Sequence, residues 1–339
     1  MTPPTFDPPS DDWSGRRVLI TGVTGQDGYY LARLLLARGC PVVGAVRGVE
    51  WDAAQPLREE LPGVELMMCD LEDPTGVSSM IERQQPDVVY HLAAQSSVGI
   101  SWNDPIGTAR ANAMGTLHLL EALRLLDPGA RFVMAGSCEC YDHDAAGVRG
   151  VNVDTPFKGT NPYAATKIMA HQMTQCYRAH HGLKAAVAVL FNHTSPRRHE
   201  RFVERGLVRA AVRVARGLAD HVVLGSLETR RDWSWAPELM EAFAALGMLE
   251  EPVDLVLGSG RTMTTHDWLT ESFRQLGLDE RRHLRLDAGR LHAGDRPHTH
   301  GNIDAAREKL GWTPRMDLEK MVRQLIQADL AELEKTGKV

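Results

Sequence analysis

Short, almost continuous apolar runs alternate with amphipathic segments through the first two thirds of the chain. The apolar runs predict six buried strands, "RRVLITG", "PVVGAVR", "VELMMCDL", "DVVYHLAA", "RFVMAGS" and "KAAVAVLFN". The apolar residues of other segments recur every three or four positions and predict helices, "GYYLARLLLARG", "NAMGTLHLLEALRLL" and "AATKIMAHQMTQCYRAHH". Parallel sheets with both faces covered have strands of this kind, joined by helices. We therefore predict an α/β fold built on a doubly wound parallel sheet.

The alternation changes after about residue 192. There "SPRRHERFVERGLVRAAVRVARG" predicts a basic loop and a helix, and shorter strands and helices follow, to a final helix from about Leu318. We expect a flexible leader over residues 1–14, the sheet domain over residues 15–192 with some later contributions, and a smaller α/β lobe mainly over residues 193–339. A cleft between the two lobes is the expected place for a ligand.

The composition excludes several classes of function. With a net charge of −6 and 6% aromatic residues, the chain lacks the basic, aromatic-rich surface that binds nucleic acid. No apolar run approaches the roughly 18 residues that span a bilayer, and the leader "MTPPTFDPPSDDW" lacks the regions of a signal peptide. We therefore expect a cytoplasmic protein that binds neither nucleic acid nor membranes.

The cysteine pattern argues against disulfides and metal. The chain has five cysteines, an odd number, and no secretory signal. Cys138 and Cys140 are one residue apart, whereas zinc and redox motifs usually place two residues between cysteines. On a strand, their side chains would point to opposite faces. We therefore predict no metal site, and expect Cys140 to face the core.

A glycine-rich turn joins the first predicted strand to the first helix. In "TGVTGQDG" the glycines follow the spacing Gly-x-x-Gly-x-x-Gly. Such glycines let a pyrophosphate approach the helix N-terminus, where free N–H groups and the helix dipole favour anions. We therefore predict a Rossmann-type domain that binds a nicotinamide dinucleotide. The expected contacts in the turn are Gly22, Thr24, Gly25, Gln26, Asp27 and Gly28.

Residues after the next strands are expected to complete the cofactor site. Arg47 follows the second strand, where a cation suits the 2′-phosphate of NADP; the alternative is that Arg47 is only solvated. Glu50 lies three residues later, and NAD-binding proteins usually have an acid in this region. We predict NADP as the cofactor, with NAD as the alternative. The expected contacts after the third and fourth strands are Asp70, Leu71, Leu92, Ala93 and Ala94.

Tyr163 and Lys167 form a Tyr-x-x-x-Lys pair in "NPYAATKIMAH". Four residues apart on a helix, they share a face. A lysine cation near a phenol lowers its pKa from about 10, so we expect Tyr163 to act as a base near neutral pH. Ser137, at the end of the fifth strand, can hydrogen-bond the substrate oxygen that Tyr163 deprotonates. The alternative is a surface Tyr/Lys pair and an unrelated serine.

Together these features resemble the extended short-chain dehydrogenase/reductase family of nucleotide-sugar enzymes, and within it the GDP-mannose 4,6-dehydratase branch. The matching segments are "LITGVTGQDGYYLARLL", "PDVVYHLAAQSSVGISW", "NPYAATK", "LFNHTSPRR", "RDW" and "EKLGWTPRMDLEKMVRQLIQADL". They span nearly the whole chain after the leader. Of these, "FNHTSPRR" and "TGQDG" are specific to the branch.

The resemblance implies a lyase that acts on a nucleotide-diphosphate sugar. Tyr163 and NADP⁺ would oxidise C4, Glu139 would remove the C5 proton, the 6-hydroxyl would leave with a proton, and hydride would return to C6, giving a 4-keto-6-deoxy sugar. The implied further cofactor contacts are Tyr163, Lys167, Leu190, Asn192, His193 and Arg198. The implied substrate contacts are Ser96, Ser137, Glu139, Asn192, Val203, Arg231 and Arg296.

The chain departs from the branch at several places. The branch reads Thr-Ser-Glu where residues 137–139 read Ser-Cys-Glu. Cys138 either protonates the leaving hydroxyl or packs as a small residue. If Cys138 is the acid, the Cys138→Ala variant should lose elimination while C4 oxidation survives.

Two further departures concern ligand binding. The loop that in the branch helps bind NADP and a neighbouring subunit reads "GVEWDAAQPL" here, after Arg47. Gly206 stands where the branch has a lysine near guanine, and "DRPHTHGN" keeps Arg296 but lacks the expected Glu.

Other reactions and assemblies remain open. Return of hydride to C4 would give a 5,6-ene sugar, whereas a 4-epimerase or 4-keto reductase would not need Glu139. A non-catalytic cofactor-binding regulator is the least expected alternative, because the serine, tyrosine and lysine are all present. We expect a homodimer or homotetramer, with a four-helix interface formed by the Tyr163 helix and the apolar helix containing Met114 to Leu125.

Overall fold

The computed structural model describes residues 13–287, 289 and 298–337. In this part of the chain the strands are β1 (Val18–Thr21), β2 (Val42–Val46), β3 (Val64–Met68), β4 (Val88–His91), β5 (Arg131–Ser137), β6 (Lys184–Leu190), β7 (Asn192–Thr194), β8 (Val222–Leu224), β9 (Arg230–Trp235), β10 (Leu255–Leu257), β11 (Thr262–Thr264) and β12 (Leu284–Leu286). The α-helices are α1 (Gln26–Ala37), α2 (Gln55–Glu60), α3 (Pro74–Gln84), α4 (Val98–Asn103), α5 (Pro105–Ala109), α6 (Gly115–Leu126), α7 (His143–Ala146), α8 (Pro162–His181), α9 (Val203–Ala215), α10 (Ala236–Leu246), α11 (Thr265–Leu276), α12 (Glu280–His283), α13 (Asp304–Leu310) and α14 (Leu318–Thr336). A π-helical turn over Arg110–Met114 joins α5 to α6.

Seven parallel strands form the main sheet, in the order β10-β6-β5-β4-β1-β2-β3. Side chains alternate between its faces, so Ile20 joins the core with α1 and α10, whereas Leu19 joins the core with α3 and α6. Because helices cover both faces, the predicted α/β fold with a doubly wound parallel sheet is confirmed. The carboxyl ends of β1 and β4 lie where the strand order reverses, which is the edge where such sheets bind ligands.

Residues from the later part of the chain complete the main sheet. β10 pairs with β6 and forms one edge, and α10 packs against α1. Asp254, just before β10, accepts hydrogen bonds from Val187 N at 2.8 Å and from the Arg178 guanidinium at 2.7 and 2.8 Å. This 7% exposed carboxylate therefore holds the edge strand against its neighbour. The division into residues 15–192 and 193–339 stays a prediction.

Two smaller sheets, β11-β9-β7 and β12-β8, and helices α9, α11 and α14 contribute to a third apolar core. Asp232 of β9 is fully buried and accepts hydrogen bonds from Ser259 N and Oγ, both at 2.7 Å, and from Gly260 N at 3.0 Å. Arg205 of α9 donates to Asp329 of α14 at 2.6 Å, and their side chains are 1% and 0% exposed. Buried carboxylates thus connect segments that are distant in sequence.

Trp13, which falls within the predicted leader, packs against the folded part of the chain. Trp13 is 7% exposed and belongs to the core that contains α1. The Arg38 guanidinium lies 5.0 Å from its ring centroid, and Cys40 Sγ donates to its carbonyl oxygen at 3.1 Å. Indole packing therefore places Trp13 in the folded part, while residues 1–12 lie outside the described range. Among the described residues, none of the helices has the length and apolarity needed to cross a bilayer.

Candidate active site

The glycine-rich turn is packed too closely for side chains at two of its glycines. Gly22 has a φ of +75°, and a Cβ there would lie 2.7 Å from Ala93 N. A Cβ at Gly28 would lie 2.3 Å from the Gly22 oxygen. Helix α1 then begins after Gly25, which provides no side-chain cap, so its first N–H groups are not taken by a capping side chain. This donor set fits the diphosphate of a dinucleotide.

Arg47 lies directly after β2, as expected, but it has an acidic partner. Its guanidinium donates to the Glu50 carboxylate, and both side chains are exposed. The hydrogen bond to Glu50 raises the pKa of Arg47, and the charges of Asp70 and Glu72 act in the same direction. The site expected for a 2′-phosphate therefore combines one cation with several carboxylates.

Ser137, Glu139 and Tyr163 lie together at the end of β5. Asn161 caps α8 by accepting from Ala164 N at 2.8 Å, which places Tyr163 in the first turn. The Tyr163 hydroxyl is hydrogen-bonded to the Ser137 side chain, and Glu139 N donates to Ser137 Oγ at 3.2 Å. Tyr163 is 8% exposed and Glu139 is half-buried. The structure thus brings a hydroxyl pair and a carboxylate to one place.

The expectation that Lys167 lowers the pKa of Tyr163 is wrong for this structure. Burial raises the pKa of Tyr163 well above 10, and the hydrogen bond from Ser137 only partly offsets this effect. Lys167 is 3% exposed, and its Nζ donates to the Ala135 carbonyl at 2.9 Å. Burial lowers the pKa of Lys167 to about 8. Desolvation therefore outweighs the attraction on which the prediction rested.

The alternation of faces expected for Cys138 and Cys140 on a strand does not apply to them. Residues 138–140 form a 3-10 turn instead of continuing the strand, and Cys138 and Cys140 belong to the same buried cluster. The expectation that Cys140 faces the core is confirmed. Burial raises the pKa of the Cys138 thiol well above its ordinary value, so this thiol holds its proton. The described residues contain no group of three or more His, Cys, Asp or Glu suited to a metal ion.

The predicted substrate residues come from several elements. Arg231 of β9 is 9% exposed, and its charge acts on the Cys138 thiol, so β9 reaches the end of β5. Asn192 of β7 has a buried Oδ1 that accepts no hydrogen bond within the described residues. Ser96 is exposed after β4, and Val203 is 44% exposed at the start of α9. Arg296 lies outside the described residues.

The remaining predicted cofactor residues lie at the same edge of the sheet or contact one another. Ser195 Oγ donates to Gln26 Oε1 at 2.8 Å, and Asp27 contacts His193. The Arg198 guanidinium lies 3.4 Å from the Phe202 ring centroid. The others follow or end strands of the main sheet, with Thr24 after β1, Asp70 and Leu71 after β3, Leu92, Ala93 and Ala94 after β4, and Leu190 at the end of β6.

Gly206, where the resemblance implies a lysine, has no room for a side chain. A Cβ at this position would lie 2.4 Å from the backbone oxygen of Glu200. Because the obstacle is a backbone atom, a side chain would require the preceding loop to move. Any recognition of the nucleotide base here therefore uses other residues.

Sequence reasoning missed Asn112, which is fully buried in the π-helical turn. Its Oδ1 accepts from Gln95 N at 2.8 Å, and its Nδ2 donates to Gln95 O at 3.0 Å and to Thr166 Oγ1 at 3.2 Å. Thr166 in turn donates to the Tyr163 carbonyl at 2.8 Å. Asn112 thus connects the loop after β4 with the helix of Tyr163. The sequence feature that could have indicated Asn112 is its position as a polar residue at the start of an apolar helical segment.

Comparison with known proteins agrees with this geometry. A family model described as GDP-mannose 4,6 dehydratase matches residues 19–325. GDP-mannose 4,6 dehydratase 2 of Arabidopsis thaliana is 37% identical over 333 residues, which cover 95% of this chain and 88% of the relative. GDP-mannose 4,6-dehydratase of Yersinia enterocolitica is 32% identical over 355 residues, covering 94% of each chain. Among solved structures, UDP-glucose 4-epimerase of Thermus thermophilus in complex with NAD has a TM-score of 0.80 and 27% identity, covering 93% of this chain and 99% of that one. The predicted resemblance is confirmed, and this chain belongs to the GDP-mannose 4,6-dehydratase family.

Proposed function

We propose that this protein is a nucleotide-sugar 4,6-dehydratase, a lyase of the GDP-mannose 4,6-dehydratase type. The observation that carries the proposal is Glu139, placed two residues after Ser137 and beside the Ser137–Tyr163 hydrogen bond. A simple oxidoreductase needs the hydroxyl pair, whereas removal of a carbon-bound proton also needs a base such as a carboxylate. Family membership supports the same reaction.

The roles of the residues follow from their chemistry. A bound nicotinamide dinucleotide supplies the hydride transfer. Ser137 and Tyr163 hold the 4-hydroxyl of the sugar. Because burial favours the protonated phenol, Tyr163 must first lose its own proton to solvent before it accepts the proton of the 4-hydroxyl as C4 becomes a ketone. The ketone acidifies the C5 proton, which Glu139 accepts, and the 6-hydroxyl leaves as water with a proton from a neighbouring acid, for which Cys138 is the candidate. Return of hydride to C6 and of a proton to C5 would then give the 4-keto-6-deoxy sugar. Lys167 fixes the end of β5 through the Ala135 carbonyl, beside the reacting groups.

A substrate panel tests this function. Purified protein is incubated with GDP-, UDP-, CDP- and dTDP-hexoses and the appropriate dinucleotide, and products are analysed by mass spectrometry and NMR. Loss of one water with a new 6-methyl signal supports 4,6-dehydration. A vinylic methylene signal would instead support a 5,6-ene product, and recovery of every sugar unchanged would contradict a dehydratase.

We propose that the enzyme uses NADP, with Arg47 at the 2′-phosphate, and that Glu50 weakens this preference. The Glu50 carboxylate pairs with the Arg47 guanidinium, which the 2′-phosphate would otherwise bind. It also adds negative charge beside the expected phosphate site. Because both side chains are exposed, solvent screens the effect.

We expect Glu50→Gln to tighten NADPH binding by about threefold while leaving NADH binding unchanged. Titration of nicotinamide fluorescence with each dinucleotide measures the two dissociation constants. The matched control is Glu65→Gln, an exposed residue of β3. Equal changes for NADPH and NADH in Glu50→Gln would contradict a role at the 2′-phosphate.

We propose that the protein forms a homodimer through α6 and α8. Helices α4, α5 and α6 pack against α8. Together with the π-helical turn, these four helices hold seven of the thirteen exposed large apolar side chains of the described residues. These side chains are Ile100, Trp102, Ile106, Met114, Leu125, Leu126 and Met169. A second copy of the same face would remove this apolar surface from water.

We expect Met169→Glu to shift the protein from dimer to monomer, because a carboxylate would be buried in the interface. Sedimentation velocity at micromolar concentration measures the change. Val148→Glu is the control, since Val148 is 95% exposed in the loop after α7. A monomeric wild type, or a Met169→Glu variant that remains dimeric, would contradict the proposed interface.

A further inference from the structure

His193 and Asp27 form a contact between β7 and the first turn of α1. The His193 side chain is 9% exposed, and its Nε2 lies 2.9 Å from Asp27 Oδ2. Its Nδ1 lies 2.7 Å from the carbonyl oxygen of Phe191. A carbonyl oxygen and an ionised carboxylate can only accept hydrogen bonds, so both ring nitrogens donate. With Asp27 ionised, this geometry is satisfied by the doubly protonated imidazole.

Asp27 occupies a position where an uncompensated charge would disturb anion binding. It lies two residues after Gly25, in the helical turn whose N–H groups fit a diphosphate. A carboxylate there repels a diphosphate and counteracts the helix dipole. Burial raises the pKa of Asp27, but the charge of His193 and its hydrogen bond bring the pKa below its ordinary value. Asp27 is thus ionised and needs a nearby cation.

The groups around Asp27 identify His193 as its direct partner. Gln26 Nε2 donates to Asp27 Oδ1 at 3.0 Å and is neutral. The charge of Arg198 also lowers the pKa of Asp27, but by less than the charge and the hydrogen bond of His193. His193 alone contributes both a hydrogen bond and the leading charge.

We infer that His193 is a positioning residue: its protonated imidazole neutralises Asp27 at the diphosphate site and holds β7 against the glycine-rich turn. Both ring nitrogens are already engaged by the protein, so His193 acts on the dinucleotide through Asp27. The neighbour of His193 in β7 is Asn192, which is among the proposed substrate contacts. The same pair therefore fixes the cofactor turn relative to the sugar-nucleotide site. This inference rests on the proposed dinucleotide at that turn.

A charge-rescue experiment separates this role from direct contact. Glutamine at position 193 retains a hydrogen-bond donor but has no charge, and Asp27→Asn removes the carboxylate charge. We expect His193→Gln to weaken NADPH and NADH binding by roughly tenfold, and the double variant His193→Gln/Asp27→Asn to recover to within about threefold of wild type. His199→Gln is the matched control, because His199 is exposed on the same segment and accepts from Arg201 N.

Direct observation of the imidazole provides a second readout. In unliganded protein with ¹⁵N-labelled histidine, both His193 ring nitrogens should be protonated, and the Asp27→Asn variant should lose that state. Equal weakening in His193→Gln and the double variant, or a neutral His193 ring in the wild type, would overturn the inference. A wild type that binds neither dinucleotide would instead count against the proposed function, while the NMR measurement would still test the pair.

Discussion

Replacing Glu139 with Gln is expected to reduce kcat by about a thousandfold, since positioned general bases commonly contribute 10²–10⁴-fold to a rate. Gln keeps the size and polarity of the side chain but cannot accept a proton from carbon. The Ser137–Tyr163 hydrogen bond does not involve the Glu139 side chain, so oxidation at C4 should continue. The expected signature is therefore reduced nicotinamide in a single turnover, without water loss or exchange of the C5 hydrogen in D₂O.

Two variants make this result interpretable. Glu65→Gln, at an exposed position of β3, should turn over like the wild type. Cys138→Ala tests the role of the neighbouring thiol, which is 4% exposed and whose pKa is raised by burial. Loss of elimination with retained C5 exchange in Cys138→Ala would support the thiol as the acid, whereas unchanged turnover would support a packing role. Full C5 exchange in Glu139→Gln would exclude Glu139 as the carbon base.

Replacing Asp329 with Asn is expected to lower the free energy of unfolding by about 3–5 kcal/mol, the usual cost of leaving a buried charge without its partner. Arg205 is 1% exposed and donates to both carboxylate oxygens of Asp329. Arg209 Nε also lies 3.4 Å from Asp329 Oδ1. The amide would present an N–H to at least one guanidinium nitrogen, so α9 and α14 would lose their buried polar contact. Chemical denaturation followed by circular dichroism measures the change.

The control for this variant is Glu332→Gln on the same helix. Glu332 pairs with Arg209 at the exposed surface, and such pairs usually contribute less than about 1 kcal/mol. The double variant Asp329→Asn/Arg205→Met should recover much of the lost stability, because it removes the unpaired charge. An Asp329→Asn variant as stable as Glu332→Gln would show that Arg205 finds another acceptor or water.

The sequence was sufficient for six of the seven strands of the main sheet, because these strands are largely apolar runs that end in recognisable polar residues. The short edge strand β10 was not predicted. Ser137 follows such a run, and Tyr163 follows a capped helix start, so parallel-sheet geometry brings them to the same edge. The 3-10 turn at residues 138–140 was not predictable, since an apolar run does not show where a strand stops. As a result, the strand geometry considered for Cys138 and Cys140 did not apply.

The electrostatic properties of the site could not be predicted from the sequence and became clear only from the folded structure. The pKa of Tyr163 depends on burial by distant elements, and this burial outweighs the local spacing from Lys167. His193 and Asp27 are 166 positions apart, and nothing in either local segment marks them as partners. Asn112 likewise acts through contacts to two other segments. Local patterns therefore identified which residues gather at the site but not how they compensate one another's charges.

The edge strand β10 has a consequence for biosynthesis. A ribosome releases the amino-terminal strands first, and β6 has no neighbour on its outer side until residues 255–257 emerge. During that interval an apolar strand edge is open to other nascent chains, and the sheet face later covered by α10 is bare. A fragment ending at residue 192 would therefore be an aggregation-prone intermediate, and the yield of native protein depends on how quickly translation delivers the remaining segments.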